Sequence, residues 1–305
     1  MDALRNILVV MEPGSETQPA FDAALLLARR FGARLELLMS DYQDLHAAYF
    51  SPPSATVQAF HDAVLGAHRK VLEKYSKQAA ESGVPAIGEA LWGTPFHEVV
   101  IGRVAATRPD LVVKHSVHHN RIERTLFTGS DWHLIRDCPA PLLLVKAPER
   151  LVGTKVLVCV DPLHGHDKPA ALDHQLLATA RLLAGPLGGE VHALHVFSIP
   201  TPVTVVGDAY IAAAATLPAE ATVEAATNAF RKLLSAYSLP EERAHMKVGA
   251  PARDILGTAR TLDAGLVIMG AVSRGRLDRW FVGNTAEAVL DRLACNVWVE
   301  KPSGS

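Results

Sequence analysis

The chain has 305 residues, of which 49% are hydrophobic and 20% are charged, and its formal net charge is −2. This much apolar sequence is enough for the cores of two ordinary domains and argues against disorder over most of the length. The near-neutral charge argues against a dedicated DNA or RNA binder, which usually presents a basic face.

Targeting and redox signals indicate a cytoplasmic protein. The N-terminal stretch MDALRNILVVMEPG lacks the basic start and long apolar run of a signal peptide, and no run reaches transmembrane length. Cys138, Cys159 and Cys295 are far apart and form no CxxC motif. That pattern is typical of free thiols in a reducing compartment. We therefore expect no membrane contact.

The chain is an internal duplication. RNILVVMEP (5–13) recurs as TKVLVCVDP (154–162), and WGTPFHEVVIGRVAATRPDLVVKH (92–115) matches VGAPARDILGTARTLDAGLVIMG (248–270). A period of roughly 150 residues indicates repeated domains, because solenoid repeats are far shorter. We predict domains at 1–149 and 152–303, joined near KAPERLVGT (146–154).

In the first half, continuous apolar runs predict strands covered on both faces. They lie near 5–11, 34–40, 110–115 and 141–146. Between the first two, an apolar stripe predicts a helix that ends at Gly32, and its members are Phe21, Ala24, Leu25, Ala28 and Phe31. Further helices are predicted over 55–82 and from Pro95 onward.

The second half repeats this order, with helices predicted near 169–184, 218–236 and 251–262. Alternating strands and helices predict an α/β fold with a doubly wound parallel sheet in each half. In such sheets ligands bind beyond the carboxyl ends of the strands, where the strand order switches.

At one such position GAVSRGRLDRWFVGNTAEAV (270–289) follows the apolar run GLVIMG (265–270). Asn284 and Glu287 fit a capping box at a helix start. The N–H groups of Gly283, Asn284 and Thr285 would then form an anion site, with positive charge from Arg274, Arg276 and Arg279. A capped helix after a surface loop, binding nothing, explains the same residues, so both interpretations stay open.

The segments VLVCVDP, ALHV and GAVSRGRLDRWFVGNTAEAVL resemble the universal stress protein family (UspA superfamily). With FTGSDWHLIRDCPAPLLLVK in the first half, the tandem arrangement resembles its two-domain, UspE-like members. The resemblance implies two Rossmann-like (adenine nucleotide alpha hydrolase-like) domains, each with a five-stranded sheet. It also implies a stress-response or regulatory role, ATP or another adenine nucleotide with Mg²⁺ as ligand, and at most weak ATP hydrolysis.

Members that bind ATP carry a glycine-rich loop motif. Its positions fall here on Gly270, Ser273, Gly283 and Asn284, of which two match, and Thr285 offers a hydroxyl in place of Asn284. The resemblance adds two further residues. Asp161 matches the acidic residue near the nucleotide, and a turn residue ahead of Pro162 is the alternative interpretation. Val196 matches the strand position whose backbone meets adenine, although the sequence by itself favours a core strand residue.

The first half has lost this signal. Alignment of the halves places His115 at Gly270, His118 at Ser273, Thr128 at Gly283 and Gly129 at Asn284, while Glu12 replaces Asp161. Imidazoles at two of these positions would crowd a triphosphate. We therefore predict a degenerate site in the first domain.

Three other features are left open. HSVHH (115–119) and DPLHGHDK (161–168) invite a metal hypothesis, but their spacing matches no zinc signature and favours solvent-facing histidines. The apolar segment 198–221 would suit a lid over a lipid-like ligand, a contact between domains or a homodimer contact. A scaffold that binds other proteins without any small ligand is a further alternative.

The last strands, PLLLVK and NVWVE, would leave unpaired apolar edges, which are aggregation hazards. We expect them to pair within the chain as an internal pseudo-dimer.

Overall fold

A single ten-stranded sheet runs through the molecule. The computed structural model describes residues 3–41, 54–116, 118–119, 124–125, 129–163, 170–198, 219–271 and 289–302. The strand order is β10-β9-β8-β11-β12-β7-β4-β1-β2-β3, so each half contributes five consecutive positions. Within this sheet, all pairings inside a half are parallel. The predicted α/β class and the five strands in each half are confirmed.

The first half supplies β1 (Asn6–Met11), β2 (Arg34–Asp41), β3 (Ala86–Trp92), β4 (Leu111–His115) and β7 (Leu142–Val145). A small separate ladder between them consists of β5 (His118–His119) and β6 (Arg124–Thr125). The second half supplies β8 (Lys155–Val160), β9 (Glu190–Phe197), β10 (Ala244–Val248), β11 (Leu266–Gly270) and β12 (Asn296–Glu300). Central strands are buried at nearly every position, because helices cover both faces of the sheet.

Seven helices lie in the described parts of the chain. They are α1 (Pro19–Phe31), α2 (Ser54–Glu81), α3 (Phe96–Thr107), α4 (Gly129–Asp137), α5 (Ala170–Leu187), α6 (Ala219–Ser235) and α7 (Pro251–Leu262). One face of the sheet packs against α1, α2, α5 and α6, and the other against α3, α4 and α7. The core is therefore two apolar layers shared by both halves.

The ends of the helices follow local chemistry. Gly32 takes a left-handed φ of 68° after α1 and its N–H donates to the carbonyl of Ala28, as the sequence predicts. Helix α3 begins at Phe96, one residue after Pro95, whereas Pro251 occupies the first turn of α7. Trp132 packs against the core, while the His133 ring stacks on that of His97, 4.0 Å away, instead of packing on the sheet.

The two half-sheets meet where β7 and β12 pair antiparallel, with Trp298 opposite Leu143. This confirms the expected internal pseudo-dimer. Lysines that follow the last strands bind across this seam: Lys146 Nζ donates to the carbonyls of Leu290 and Leu293, at 2.8 and 2.7 Å, and Lys301 Nζ donates to that of Cys138. Burial lowers the pKa of both amines to about 8. The exact division into 1–149 and 152–303 stays a prediction.

All three cysteines are free thiols, with Cys138 and Cys295 buried and Cys159 partly exposed. Within the described ranges, no helix has the length and apolarity needed to cross a bilayer.

Candidate functional site

The candidate site lies where β8 and its two neighbours end. The chain runs from β8 to β9 on one side and later returns to β11 on the other, so the strand order switches at β8. Val160 pairs with His195, which places Asp161 level with Val196. Ile268 pairs with Val158, which places Gly270 level with Val160. The structure therefore brings Asp161, Val196 and Gly270 to one edge of three adjacent strands.

Asp161 is held by a buried carboxylate. Its backbone N–H donates to Oδ1 of Asp173 at 3.0 Å, and Asp173 lies on α5 with none of its surface exposed. This bond fixes the chain direction after β8. The side chain of Asp161 remains partly exposed at the strand end, where a ligand or a hydrated cation would reach it.

Core packing by itself requires a glycine at position 270. A Cβ at this residue would lie 2.6 Å from Cδ2 of Leu172 and 3.6 Å from Cδ1 of Leu176, both on α5. The absence of a side chain lets α5 approach the end of β11 closely. The glycine that the sequence assigns to a phosphate loop is therefore also required by the core.

Replacing Gly270 by alanine is expected to lower the free energy of unfolding by about 1–3 kcal/mol, because Leu172 must move from its place in the core. Chemical denaturation without nucleotide measures this. The matched control is Gly257→Ala on an exposed face of α7, where a Cβ meets nothing within 4 Å and a gain of about 0.5–1 kcal/mol is expected. Equal stability of Gly270→Ala and the wild type would contradict the packing argument.

Val196 is a partly buried residue that packs against the core layer of α3, α4 and α7. Its neighbour His195 is fully buried, with Nδ1 3.2 Å from the carbonyl oxygen of Val160 and its ring 5.4 Å from that of Phe197. The side chain of Val196 thus has a core role, and its backbone stands at the strand end.

The remaining predicted site residues, Ser273, Gly283, Asn284 and Thr285, lie outside the described residues. The same holds for His164, His166 and Asp167 of the second histidine segment. Among the residues that the structure does describe, no three histidine, cysteine or acidic side chains are grouped so as to hold a metal ion.

The equivalent edge of the first half holds a hydrogen-bonded histidine–glutamate pair. His115 Nδ1 lies 3.0 Å from Oε2 of Glu12, and these residues end β4 and follow β1. Beside them Lys114 Nζ lies 2.7 Å from Oδ1 of Asp131, which is 2% exposed. The buried Gln18 accepts from the backbone N–H of Glu12 and donates to its carbonyl. Charged side chains therefore satisfy one another where the second half carries a glycine.

Sequence reasoning missed a groove at the outer strand of the second half. A cavity of about 550 Å³ lies between α6 and the outer strand β10. Its apolar lining includes Phe230, Leu234, Leu239 and Met246, with Arg231 at the rim. The apolar stripe of α6 was the available signal, but a stripe alone does not tell whether a helix packs tightly or leaves a groove.

Comparison with known proteins identifies the fold family. The model of the universal stress protein family matches residues 3–146 and 154–301. A universal stress protein E from Salmonella typhi is 31% identical over 312 residues, covering 99% of this chain and 96% of that protein.

Solved structures agree. A putative universal stress protein from Pseudomonas aeruginosa UCBPP-PA14 superposes with a TM-score of 0.74 at 26% identity, covering 99% of this chain and 94% of that one. A universal stress protein from Archaeoglobus fulgidus DSM 4304 has a TM-score of 0.70 at 16% identity, over 97% and 98% of the two chains.

Proposed function

Because this chain belongs to the universal stress protein family, we propose that it is a cytoplasmic stress-response factor whose second half binds an adenine nucleotide. The ligand would lie beyond the ends of β8, β9 and β11. The role is regulatory: binding changes what the protein does to a partner, and ATP hydrolysis is at most slow. Mg²⁺ would accompany ATP and keep most of its water ligands.

The observation that carries this proposal is the convergence of three positions on one edge. Asp161 and Gly270 are separated by 109 positions in the sequence (270 − 161), and Val196 lies between them. The strand registers nevertheless put all three on adjacent strands at nearly the same level. A switch point of strand order in an open parallel sheet is where such folds bind ligands. A carboxylate, a strand backbone and a side-chain-free residue there suit a nucleotide with its cation.

The first half supports a stoichiometry of one nucleotide per chain. Its equivalent edge holds the Glu12–His115 pair, so a triphosphate there would meet the imidazole of His115 where the second half carries Gly270. Displacing a hydrogen-bonded pair costs free energy that the phosphate must first offset. Only the second half is therefore proposed as a nucleotide site.

We expect Mg·ATP to bind the wild type with one site per chain, and Asp161→Ala to weaken that binding roughly tenfold or more, as loss of a charged contact does. Isothermal titration calorimetry at constant salt measures both. Glu12→Ala is the matched control, because it removes the acid at the same position of the first half and should leave the affinity unchanged. No heat and no thermal shift at millimolar Mg·ATP would end the nucleotide proposal.

A second candidate function is the carriage of an apolar, lipid-like ligand. The groove between α6 and β10 favours it, since its volume of about 550 Å³ and its apolar lining suit an acyl chain. Native mass spectrometry of the purified protein separates the candidates: a copurified lipid without nucleotide would reverse their order. If neither ligand is found, a protein-binding scaffold without a small ligand is the remaining function.

A further inference from the structure

Two histidines on the outer strands of the second half share a hydrogen bond. His192 on β9 and His245 on β10 bring Nδ1 and Nε2 to 3.1 Å, with ring centroids 5.3 Å apart and planes 15° apart. For nitrogens 3.1 Å apart, this centroid separation is close to the largest that two imidazoles allow. The nitrogens therefore point at one another along the line of ring centres, as in an N–H···N bond, and away from a common metal position.

The first half uses the same two positions differently. Leu8 pairs with Glu36 as Leu157 pairs with His192, so Glu36 and His192 are equivalent. By the same registers Glu89 of β3 is equivalent to His245 of β10. There Arg103 of α3 binds both carboxylates, with Nη1 2.6 Å from Oε2 of Glu89. That half closes its outer strand with a permanent charge clamp.

Among the described residues of the second half no such clamp is found. Helices α3 and α7 end in left-handed residues, Arg108 and Asp263, and counting back five residues from each reaches Arg103 and Thr258. The hydroxyl of Thr258 donates to the carbonyl of Asp254 within its own helix, at 2.7 Å. The imidazole pair consequently receives no charge from the residue that replaces the arginine.

The charges that do face the pair are mostly positive. Lys155 of β8, Arg243 before β10 and Lys247 of β10 oppose protonation, whereas Glu190 favours it with Oε2 3.7 Å from His192 Nε2. Glu190 is itself engaged by Arg243, whose Nη2 lies 3.3 Å from Oε1. Burial, followed by the neighbouring His245, lowers the pKa of His192, and burial followed by Lys247 lowers that of His245.

We propose that His192 and His245 form an acid-sensitive latch, which holds β10 on β9 at neutral pH and releases it in acid. A neutral pair shares one proton between the facing nitrogens, and a single added proton on the outer nitrogen of His192 leaves that bond intact. When both rings are protonated, two N–H groups face one another, the bond is lost and two cations adjoin three others. The two protonated rings then repel each other instead of sharing a hydrogen bond.

The position of β10 at the end of the sheet lowers the free energy needed to detach it. It is the outermost strand of the described sheet, where β9 is its one neighbour. On its other face Ala244 and Met246 line the groove along α6, so detachment of β10 opens that groove as well. Edge elements with one neighbour are the first to open locally. The latch is independent of the nucleotide proposal, since its residues lie away from Asp161 and Gly270.

The sign of the pH effect follows from linkage. The released strand binds protons with the ordinary imidazole pKa near 6.5, and the paired rings bind them less readily. Pairing is therefore fully stable above about pH 6.5 and weakens as the pH falls below it. At pH 5 the released form binds more protons than the paired form. The equilibrium constant for pairing of β10 is therefore predicted to fall about tenfold or more.

Hydrogen–deuterium exchange of the full chain tests the latch. Protection factors of Ala244–Val248, corrected for intrinsic exchange, should fall about tenfold or more between pH 7.5 and pH 5, while those of β3 stay constant. The variant His192→Asn with His245→Gln keeps an amide hydrogen bond that does not titrate, and its β10 protection should not respond to pH. The matched control, His97→Gln with His133→Gln, removes the partly exposed stacked pair on α3 and α4 and should keep the wild-type response.

A second measurement does not depend on the variants. NMR titration of the wild-type histidine ring protons should show two rings whose pKa values lie below the ordinary imidazole range. Their protonation should coincide with the opening of β10. The latch is wrong if β10 protection is independent of pH, if the amide pair keeps the response, or if both rings titrate at the ordinary pKa.

Discussion

Replacing Trp298 by alanine is expected to lower the free energy of unfolding by about 3–5 kcal/mol, which is a large part of the stability of an ordinary protein. Trp298 is fully buried in β12, with Ile268 of β11 on one side and Leu143 of β7 on the other. It is the largest fully buried side chain at the seam of the half-sheets. A cavity there removes packing from both halves together, because Trp298 lies in the apolar layer that α1 of the first half and α5 of the second half share.

Trp92→Ala is the matched control for this change. This substitution removes the same side-chain volume, but Trp92 lies on the outer strand β3 and is partly exposed. Its ring contacts the rings of His61 and Phe60. A smaller loss, about 1–2 kcal/mol, is expected there. Urea denaturation followed by circular dichroism compares the two. Equal losses, or separate unfolding transitions for the two halves of the wild type, would contradict the view that the seam joins the halves into one cooperative unit.

The central strands and the seam were predictable because burial on both faces leaves a plain mark in the sequence. Strands such as ILVV and VLVCV read as continuous apolar runs, and the apolar last strands of each half had to be covered. The duplication then made the fold of one half a prediction for the other, because repeated sequences adopt the same fold and put aligned residues at the same positions. Convergence of Asp161, Val196 and Gly270 followed from this fold and its general rule about strand ends.

The outer strands and the latch were not predictable in the same way. Residues 86–92 read AIGEALW, and Ile87 is 64% exposed, because an edge strand is covered incompletely and carries a weak pattern. His192 and His245 are separated by α6 in the chain, and only the register of β9 with β10 brings them together. Histidines that cluster in the sequence, as in HSVHH, suggest a site from their spacing, whereas His192 and His245 lie far apart in the sequence and give no such signal.

Gly270 shows a different limit. Its spacing in the sequence points to a phosphate loop, but the contact with Leu172 shows that packing alone demands a glycine there. A motif residue that the core also needs carries less information about ligands than its motif suggests. The test of nucleotide binding therefore rests on Asp161, whose side chain no core contact explains, and on its equivalent Glu12 in the first half.

The second large effect is expected at Asn296, whose side chain ties the linker to the second half. Its Oδ1 accepts from the backbone N–H groups of Lys146 and Ala147, each at 3.0 Å, and its Nδ2 donates to the carbonyls of Ala147 and Gly265, at 2.7 and 3.0 Å. These are all the hydrogen bonds that a primary amide forms with its two donors and two lone pairs. The residue is fully buried, so water does not replace a missing partner.

Asn296→Ala should therefore cost about 2–6 kcal/mol, since the N–H groups of Lys146 and Ala147 lose their acceptor and each unsatisfied buried group costs about 1–3 kcal/mol. The carbonyls of Ala147 and Gly265 keep backbone donors, the N–H groups of Arg150 and Asn296. Asn296→Asp keeps the shape but turns two donors into acceptors against two carbonyls, and it should be at least as harmful. Asn6→Ala is the control: this asparagine is also buried on a strand, at 8% exposure, but within the described structure its side chain bonds no other group, so less than about 1 kcal/mol should be lost. Urea denaturation orders the three. If Asn296→Ala were as mild as Asn6→Ala, the linker would be held by the β7–β12 pairing alone, and the amide would have no part in joining the halves.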